Sequence, residues 1–588
     1  MKFQQHQWIT RLKTKESLSF IGILAIVTWT AHFWHFGGLG LYEDDYFYVG
    51  EPIRMNLLEF FDFIKRINLY FFQGRIVGFN IVLLSAFIGG HLGGLKLVYG
   101  IAYLWVLTNN ILFYIFLKRL WDQPFFVICG TLSFALFPAD NTRAFLTHIH
   151  VLPSVTFILI AFLCYFSQKR IISYLFILAA LLSYETCFPL FLAAPLFKNK
   201  WNGKLLKEFI RNALVLGFIF LGVLMLRKLT GDSRVNDLDI LTAVLTPLRQ
   251  TLIGPFISLS TFFSRPWQVL VNLKGELLFL LPITFALLTW FLSQFKVNRI
   301  DATTVSTSEM PFGNNSENSF SIRQLVLLSL ILLFLAYPLT FTVHATQISG
   351  RDSRVHTAAV LGASLLAGIV CHLIVYLAAT YRQKNLAATI LAAYFTLLVG
   401  FGLIVQHDNQ RCWQYQQAFW TDVTRLAPDI TEGAVILVDA PSMSWGRQLH
   451  PIHGLMQYVL GQIYQFPQDW EFIPKLYRLN PNWQNKIDDQ GILTLDSNNG
   501  VVYLFLHLWE LERHLQTSEI ILLQEKNGKL IRQTDPIIVG DKKFYFKPIS
   551  KTTLDIFKKG FLYKDIINPS IRKSIDYLKV MVILPHLS

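Results

Sequence analysis

Charge is scarce in this chain. Only 15% of its 588 residues are Asp, Glu, Lys or Arg, while 53% are hydrophobic. Soluble domains carry roughly 25% charged residues, so an ordinary soluble protein of this length is excluded. Cysteine is scarce as well. The five present (Cys129, Cys164, Cys187, Cys371 and Cys412) show no metal-binding or disulfide spacing. Four of them lie in apolar runs, where packing is the ordinary role. No internal repeat of fixed period is present, which excludes a solenoid. Acidic residues number 38 against 52 basic ones, a net charge of +14. The basic residues form short clusters between apolar runs, which suits cytoplasmic loops and not a nucleic-acid surface.

What remains is apolar and aromatic. There are 50 Phe, and aromatics make up 15% of the chain. Several apolar runs approach the roughly 20 residues that an α-helix needs to cross a bilayer. The first, Leu18 to Phe36, is followed by no small-x-small cleavage site and reads as an uncleaved signal anchor. Arg11, Lys13 and Lys15 precede it, so the N-terminus is expected in the cytoplasm. Charge parity then organises the rest. The clusters Lys118-Arg119, Lys169-Arg170, Lys198 to Lys207, Lys296 with Arg299, and Arg382 with Lys384 all fall inside under one assignment. That assignment requires Ile76 to Gly90 not to cross. It and the amphipathic stretch Asn56 to Asn68 are expected as juxtamembrane helices on the outer surface. It also requires the run Ile171 to Phe197 to be a helical hairpin turning near Glu185 and Pro189.

The expected fold is therefore an α-helical polytopic membrane protein with about eleven transmembrane helices. They lie roughly at 18–37, 94–117, 124–138, 151–168, 171–184, 186–197, 206–226, 276–295, 322–342, 356–378 and 386–406. The Ser/Asn-rich stretch Val297 to Ser321 reads as a flexible cytoplasmic loop. A transmembrane domain of residues 1–406 precedes residues 407–588, where the pattern changes. GAVILVDAP, GILTLD, GVVYLFLHL and SEIILLQE read as strands, with helices over Gln414 to Leu426 and Pro451 to Tyr464 between them. This C-terminal α/β domain is expected to be extracytoplasmic.

Ionisable residues recur on the outer side of this topology. Asp44 and Asp45 follow the first run in LYEDDYFYVGEPIR; Gly74-Arg75 follows the amphipathic stretch. Asp140, Arg143, His148 and His150 lie in FPADNTRAFLTHIH, Tyr184 and Glu185 in SYETCFP, and His344, Arg351, Asp352, Arg354 and His356 in VHATQISGRDSRVH. Carboxylates, imidazoles and guanidinium groups at one membrane surface suit group transfer from a lipid-linked phosphate donor. Arg offers a bidentate fork to phosphate. A carboxylate can take the proton of an attacking hydroxyl, and Arg or a divalent ion can stabilise a phosphate leaving group.

With these residues in place, the chain resembles the GT-C class of integral membrane glycosyltransferases that use dolichyl- or polyprenyl-phosphate sugars, such as protein mannosyltransferases and aminoarabinose transferases of lipid A. The resemblance rests on Asp44-Asp45 in the first outer loop, Gly74-Arg75 before a partly inserted helix, the Pro138-Ala139-Asp140 loop and the hairpin tip Tyr184-Glu185, and it covers about residues 18–406. It implies a catalytic role for Asp44 or Asp45, with Asp140 and Glu185 as further acids. It implies that Arg351 or Arg354 holds the carrier phosphate, with Arg75 a further candidate. It also implies a divalent ion, Mg or Mn, held by Glu185 and His148. The expected partners are a polyprenyl-phosphate-linked sugar donor, a lipid, glycan or protein acceptor, and the lipids of the cytoplasmic (inner) membrane. No WWD motif is present, which argues against transfer of a whole oligosaccharide to Asn.

Plainer readings stand beside these. Asp44 and Asp45 could be a hydrated loop, Asp140 a helix cap, Arg75 a headgroup anchor, and Arg351 and Arg354 flanking charges. His32 and His35 are expected in packing, and His450 and His453 in a loop. Two other functions use the same setting. An O-antigen polymerase or ligase of the cell envelope would depend on Arg and His more than on acids. A transporter or flippase would place polar residues through the span interiors.

Overall fold

The computed structural model describes residues 15–70, 74–197, 201, 203–229, 240–295, 320–341, 343–441, 455–467, 469–479, 483–495, 513–527, 529–550 and 557–567. The strand expected over GVVYLFLHL, His450, His453 and residues 297–319 lie outside this set.

In chain order the principal helices are α1 (Lys15–Phe33), α2 (Leu57–Tyr70), α3 (Ile76–Leu92), α4 (Gly94–Leu120), α5 (Pro124–Ala135), α6 (Leu152–Phe166), α7 (Arg170–Leu181), α8 (Gly203–Leu229), α9 (Ile240–Val271), α10 (Leu277–Ser293), α11 (Ile322–Leu335), α12 (Val360–Thr380), α13 (Lys384–Leu426) and α14 (Leu455–Ile463). Six helical stretches among the described residues are long and apolar enough to cross a membrane: Glu16–Gly38, Gly94–Leu120, Leu146–Phe166, Gly203–Leu229, Arg351–Thr380 and Lys384–Leu426. Six more are apolar but shorter: α3, α5, α7, Glu185–Phe197, α10 and α11. The protein is thus mostly helical, with the make-up of a polytopic membrane protein and a C-terminal region of small sheets.

The chain divides into two compact units. The first comprises 1–36, 67–82 and 98–406; the second comprises 37–66, 83–97 and 407–588. Asp44 and Asp45 therefore belong with the C-terminal segment.

Polar side chains and small residues tie the helices of the first unit together. Asn110 on α4 donates to Thr28 of α1 at 2.9 Å, and its neighbour Asn109 donates to the Leu152 carbonyl of α6 at 3.1 Å. Bonds of this kind between membrane helices average about 0.6 kcal/mol each, so they set register more than they supply stability. α5 and α12 cross where Gly130 meets Gly368; a Cβ on Gly368 would lie 2.8 Å from the Phe126 carbonyl. Two of the 3-10 helices among the described residues are long, Glu185–Phe197 and Arg351–Ala359. Runs beyond three or four residues are uncommon in this form. In the first, Pro189 and Pro195 remove amide donors from the helix. The chain breaks between α7 and Glu185, at residues 182–184.

Helix α9 has no counterpart in the sequence reading. Its 32 residues contain Pro247, Pro255 and Pro266, and Arg249, Gln250 and Arg265 interrupt its apolar run. Both the propensity signal and the hydropathy signal are weakened there.

In the second unit β1 (Val435–Asp439) lies between β2 (Lys475–Arg478) and β5 (Ile520–Lys526), parallel to both, and β6 (Lys529–Arg532) adds to β5 antiparallel. β3 (Ile492–Leu495) and β4 (Arg513–Gln516) form a separate antiparallel pair. VILV of β1 is buried throughout, as befits a strand with neighbours on both edges and both faces covered. Leu437, Leu522, Trp483 and Phe546 pack in the core beside it. Arg532 pairs with Asp429 in the same unit, and both side chains are buried.

Candidate functional site

The first unit brings one set of polar residues together where the start of α3 (residues 74–78), the 3-10 turn that leads into α6 (147–151) and the break after α7 (182–185) meet. Gly74 has φ +69°, a left-handed conformation that favours glycine. A Cβ there would also strike the Arg227 side chain. Three residues on, Val77 N–H donates to the Leu182 carbonyl at 3.0 Å. Gly78 then lets the start of α3 approach closely: a Cβ would be 2.7 Å from the carbonyls of both His150 and Ser183.

This packing delivers Arg75 to Glu185. Arg75 Nε donates to Glu185 Oε2 at 2.9 Å and Nη2 to Oε1 at 2.5 Å, a bidentate pair. The Arg75 guanidinium also lies over the Tyr184 ring, 4.6 Å from its centre. Arg227, from the end of α8, approaches the same carboxylate at 3.6 Å. One carboxylate thus faces two guanidinium groups.

The histidines continue this cluster. The His150 ring stacks on Phe79 at 5.0 Å and meets Tyr184 edge-on at 5.6 Å. Its Nδ1 is 2.6 Å from the Thr147 carbonyl. The His148 ring lies 5.9 Å from that of His150, and its Nε2 is 3.4 Å from Arg354 Nη1. Among the described residues no carboxylate lies within ion-pair distance of Arg354. Arg354 is half-buried, as is Arg351 at the head of the same 3-10 segment.

That segment also reaches Asp140. Thr357 donates to Asp140 Oδ2 at 2.9 Å, while Thr142 and Arg143 complete the shell around the carboxylate. Burial works to raise the Asp140 pKa, but the Arg143 charge and the bonds from Thr142 and Thr357 outweigh it and hold the group below the ordinary carboxylate range. The loop is tied down from outside: Asn141 donates to the Ile348 carbonyl at 2.8 Å, and its N–H donates to Ser353 Oγ at 2.9 Å. A small cavity beside Asp140 is lined by His32, Asn141, Arg143, Phe401 and Gln406 among others. His32 is bonded to the Ala135 carbonyl at 2.7 Å, in line with a packing role. His35, also expected in packing, instead contacts Glu276 at 2.6 Å.

Asp44 and Asp45 lie in the second unit, at a short helical turn over Asp45–Tyr48. Asp45 is fully buried and accepts the Tyr42 N–H at 3.1 Å. Asp44 is half-buried. The turn is held by Tyr42, which donates to the Asn409 carbonyl at 2.9 Å, and by Gln462, which donates to the Tyr46 carbonyl at 2.6 Å.

The metal site expected at Glu185 and His148 is not assembled. Both Glu185 oxygens accept from Arg75, and His148 faces Arg354, so guanidinium groups stand where a cation would have to enter. No group of three or more His, Cys, Asp or Glu suited to a metal ion gathers among the described residues. Arg75, expected on phosphate, pairs with Glu185. Sequence reasoning missed Arg227 and Thr357 altogether. A signal for Arg227 was available: under the expected topology it lies at the outer end of its helix, where positive charge is disfavoured.

No family model matches the chain, and no curated protein and no solved structure matches it.

Proposed function

We propose that the chain is a membrane glycosyltransferase of the GT-C kind. It moves one sugar from a polyprenyl-phosphate donor to a lipid, glycan or protein acceptor at the extracytoplasmic face of the cytoplasmic membrane. The observation that carries the reading is Arg354: a half-buried guanidinium with no carboxylate partner among the described residues, linked through His148, His150 and Tyr184 to the Arg75–Glu185–Arg227 group. A half-buried cation with no carboxylate beside it suits an anion, and the phosphate of a lipid carrier is one that reaches the membrane surface. In this reading the six long helices and five of the six shorter ones make eleven spans, with α3 the one that does not cross.

In the reaction the acceptor oxygen attacks the anomeric carbon of the sugar from the face opposite the carrier. A first-loop carboxylate takes the acceptor's proton. The bond between the anomeric carbon and the phosphate oxygen breaks, and polyprenyl phosphate leaves with the electron pair. The sugar is inverted. Arg351 and Arg354 hold the phosphate as its charge grows, while Arg75 and Glu185 orient Tyr184. The resemblance assigns the base to Asp44 or Asp45. Asp45 is enclosed and bonded to backbone, which favours the more open Asp44.

The test is transfer of radiolabelled sugar from polyprenyl-phosphate donors in membranes carrying the wild type, Asp44→Asn, Asp45→Asn or Arg354→Ala. Loss of general-base catalysis should cost about 10²- to 10⁴-fold in the Asp44 variant. Full transfer in both Asp variants would remove the acid-based mechanism. The Arg- and His-rich make-up of the cluster favours a second reading, an envelope polymerase or ligase. That enzyme would lose activity with Arg354→Ala and keep it with both Asp variants.

A further inference from the structure

The first unit contains two imidazoles with opposite unmet needs, and their tautomers can be assigned from their partners. Arg354 has donors only, so His148 Nε2 accepts from it and the ring proton sits on Nδ1. Thr147 offers a carbonyl, so His150 Nδ1 carries the proton there and Nε2 keeps its lone pair. Among the described residues His148 Nδ1 and His150 Nε2 are both buried and meet no hydrogen-bond partner, on side chains that are 3% and 2% exposed. The first is therefore an unmet donor and the second an unmet acceptor, on rings 5.9 Å apart. Buried polar groups are rarely left in this state unless something outside the chain completes them.

We infer that His148 and His150 read hydroxyl groups on the transferred sugar, His148 Nδ1–H donating to one oxygen and His150 Nε2 accepting from the same or an adjacent hydroxyl. A hydroxyl both donates and accepts, and vicinal hydroxyls present the two functions side by side. The surroundings narrow the class further. Arg354 and Arg75 lie beside the pair, and with Glu185 and Arg227 counted the charge there is still net positive, so a sugar bearing an ammonium group would meet like charge. The donor is therefore a neutral polyhydroxyl hexose or pentose on its lipid phosphate, and an aminopentose is rejected. Between the two imidazoles and Arg354, sugar and phosphate would be sensed by neighbouring groups of different charge.

This inference rests on the glycosyltransferase reading, and the experiment separates the two. The full-length protein in membranes is offered polyprenyl-phosphate mannose, glucose, galactose and arabinose, the 2-, 3- and 4-deoxy forms of whichever is used, and 4-amino-4-deoxyarabinose. Transfer of none by the wild type overturns the glycosyltransferase reading itself. If a neutral sugar is used, the wild type should favour it at least about 10-fold over one deoxy form and over the amino sugar. In His150→Phe and His148→Phe that preference should shrink toward unity, and His150→Gln, which restores an acceptor, should recover part of it. The preference is a ratio within one preparation, so partial misfolding does not alter it. Unchanged ratios in both Phe variants, or an amino sugar used as well as the neutral one, would overturn the inference and leave the transferase reading standing.

Discussion

Arg75 and Glu185, 110 residues apart in sequence, close a bidentate ion pair with contacts of 2.9 and 2.5 Å. Neither side chain is more than 16% exposed. The pair joins the start of α3 to the break after α7, the two points from which the rest of the polar cluster is hung. Arg227 leans on the same carboxylate, so Glu185 balances two cations.

Removing that carboxylate should be costlier than removing either cation. Breaking a buried pair by deleting one partner typically costs about 3–5 kcal/mol. Glu185→Gln should fall in that range in thermal or denaturant unfolding of the detergent-purified protein. Arg75→Met should cost less, because Arg227 remains near the carboxylate. The double variant should lie well below the sum of the two, the sign of direct coupling. Additive effects would show that the pair does not hold the two breaks together.

Asp140 supplies a pH dependence with a definite sign. Its folded pKa lies below the unfolded value, roughly 3.9 for Asp, because Arg143, Thr142 and Thr357 outweigh the effect of burial. The carboxylate therefore contributes stability above the unfolded value and loses it as pH falls through the folded one. Unfolding temperature should drop on acidification from about pH 4 downward, and Asp140→Asn should flatten that limb. Thr357→Val removes one bond to the carboxylate, worth about 1.5–3 kcal/mol for a charged acceptor, and should move the acid limb to higher pH. An identical limb in wild type and Asp140→Asn would assign the acid transition to other groups.

Some of this was legible in the residues. An acid inside a long apolar run, with a proline four positions later, marks a break, and the chain does turn at residues 182–184 before Glu185. Positive charge on the side that the expected topology disfavours marked Arg351 and Arg354. Arg227 carried the same mark but sits in an Arg-Lys pair ending an apolar run, the commonest place for a flanking charge. The partner of Glu185 was not readable, because nothing local links positions 110 residues apart. The expectation of a metal at Glu185 was formed without knowledge of the Arg75 guanidinium that pairs with it. Helix α9 was missed because three prolines and two arginines broke both signals. The grouping of residues 37–66 with the C-terminal segment is a matter of tertiary contact, and no local pattern announces it.

Within the second unit the sharpest expectation concerns Asp429 and Arg532. Their side chains are 0% and 2% exposed. Arg532 Nη2 donates to Asp429 Oδ2 at 3.1 Å and to the carbonyls of Lys547 and Pro548 at 2.8 and 2.9 Å, and Ser550 N–H donates to the same carboxylate oxygen at 3.0 Å. Arg532 thus ends β6 by tying it to the 547–550 segment and to the turn before β1. Arg532→Ala leaves a buried carboxylate and several carbonyls without partners, and should cost about 3–5 kcal/mol. Asp429→Leu combined with Arg532→Met removes both charges, but still strands the carbonyls of Lys547 and Pro548. It should therefore recover part of the loss and not all of it. Hydrogen exchange of the full-length chain reads this locally: β1 and β5 amides should exchange faster in Arg532→Ala, with α5 and α12 unaffected. Full recovery in the double variant would mean that the charge, and not the carbonyl cradle, carries the cost. Unchanged exchange in Arg532→Ala would mean that the sheet does not depend on this pair.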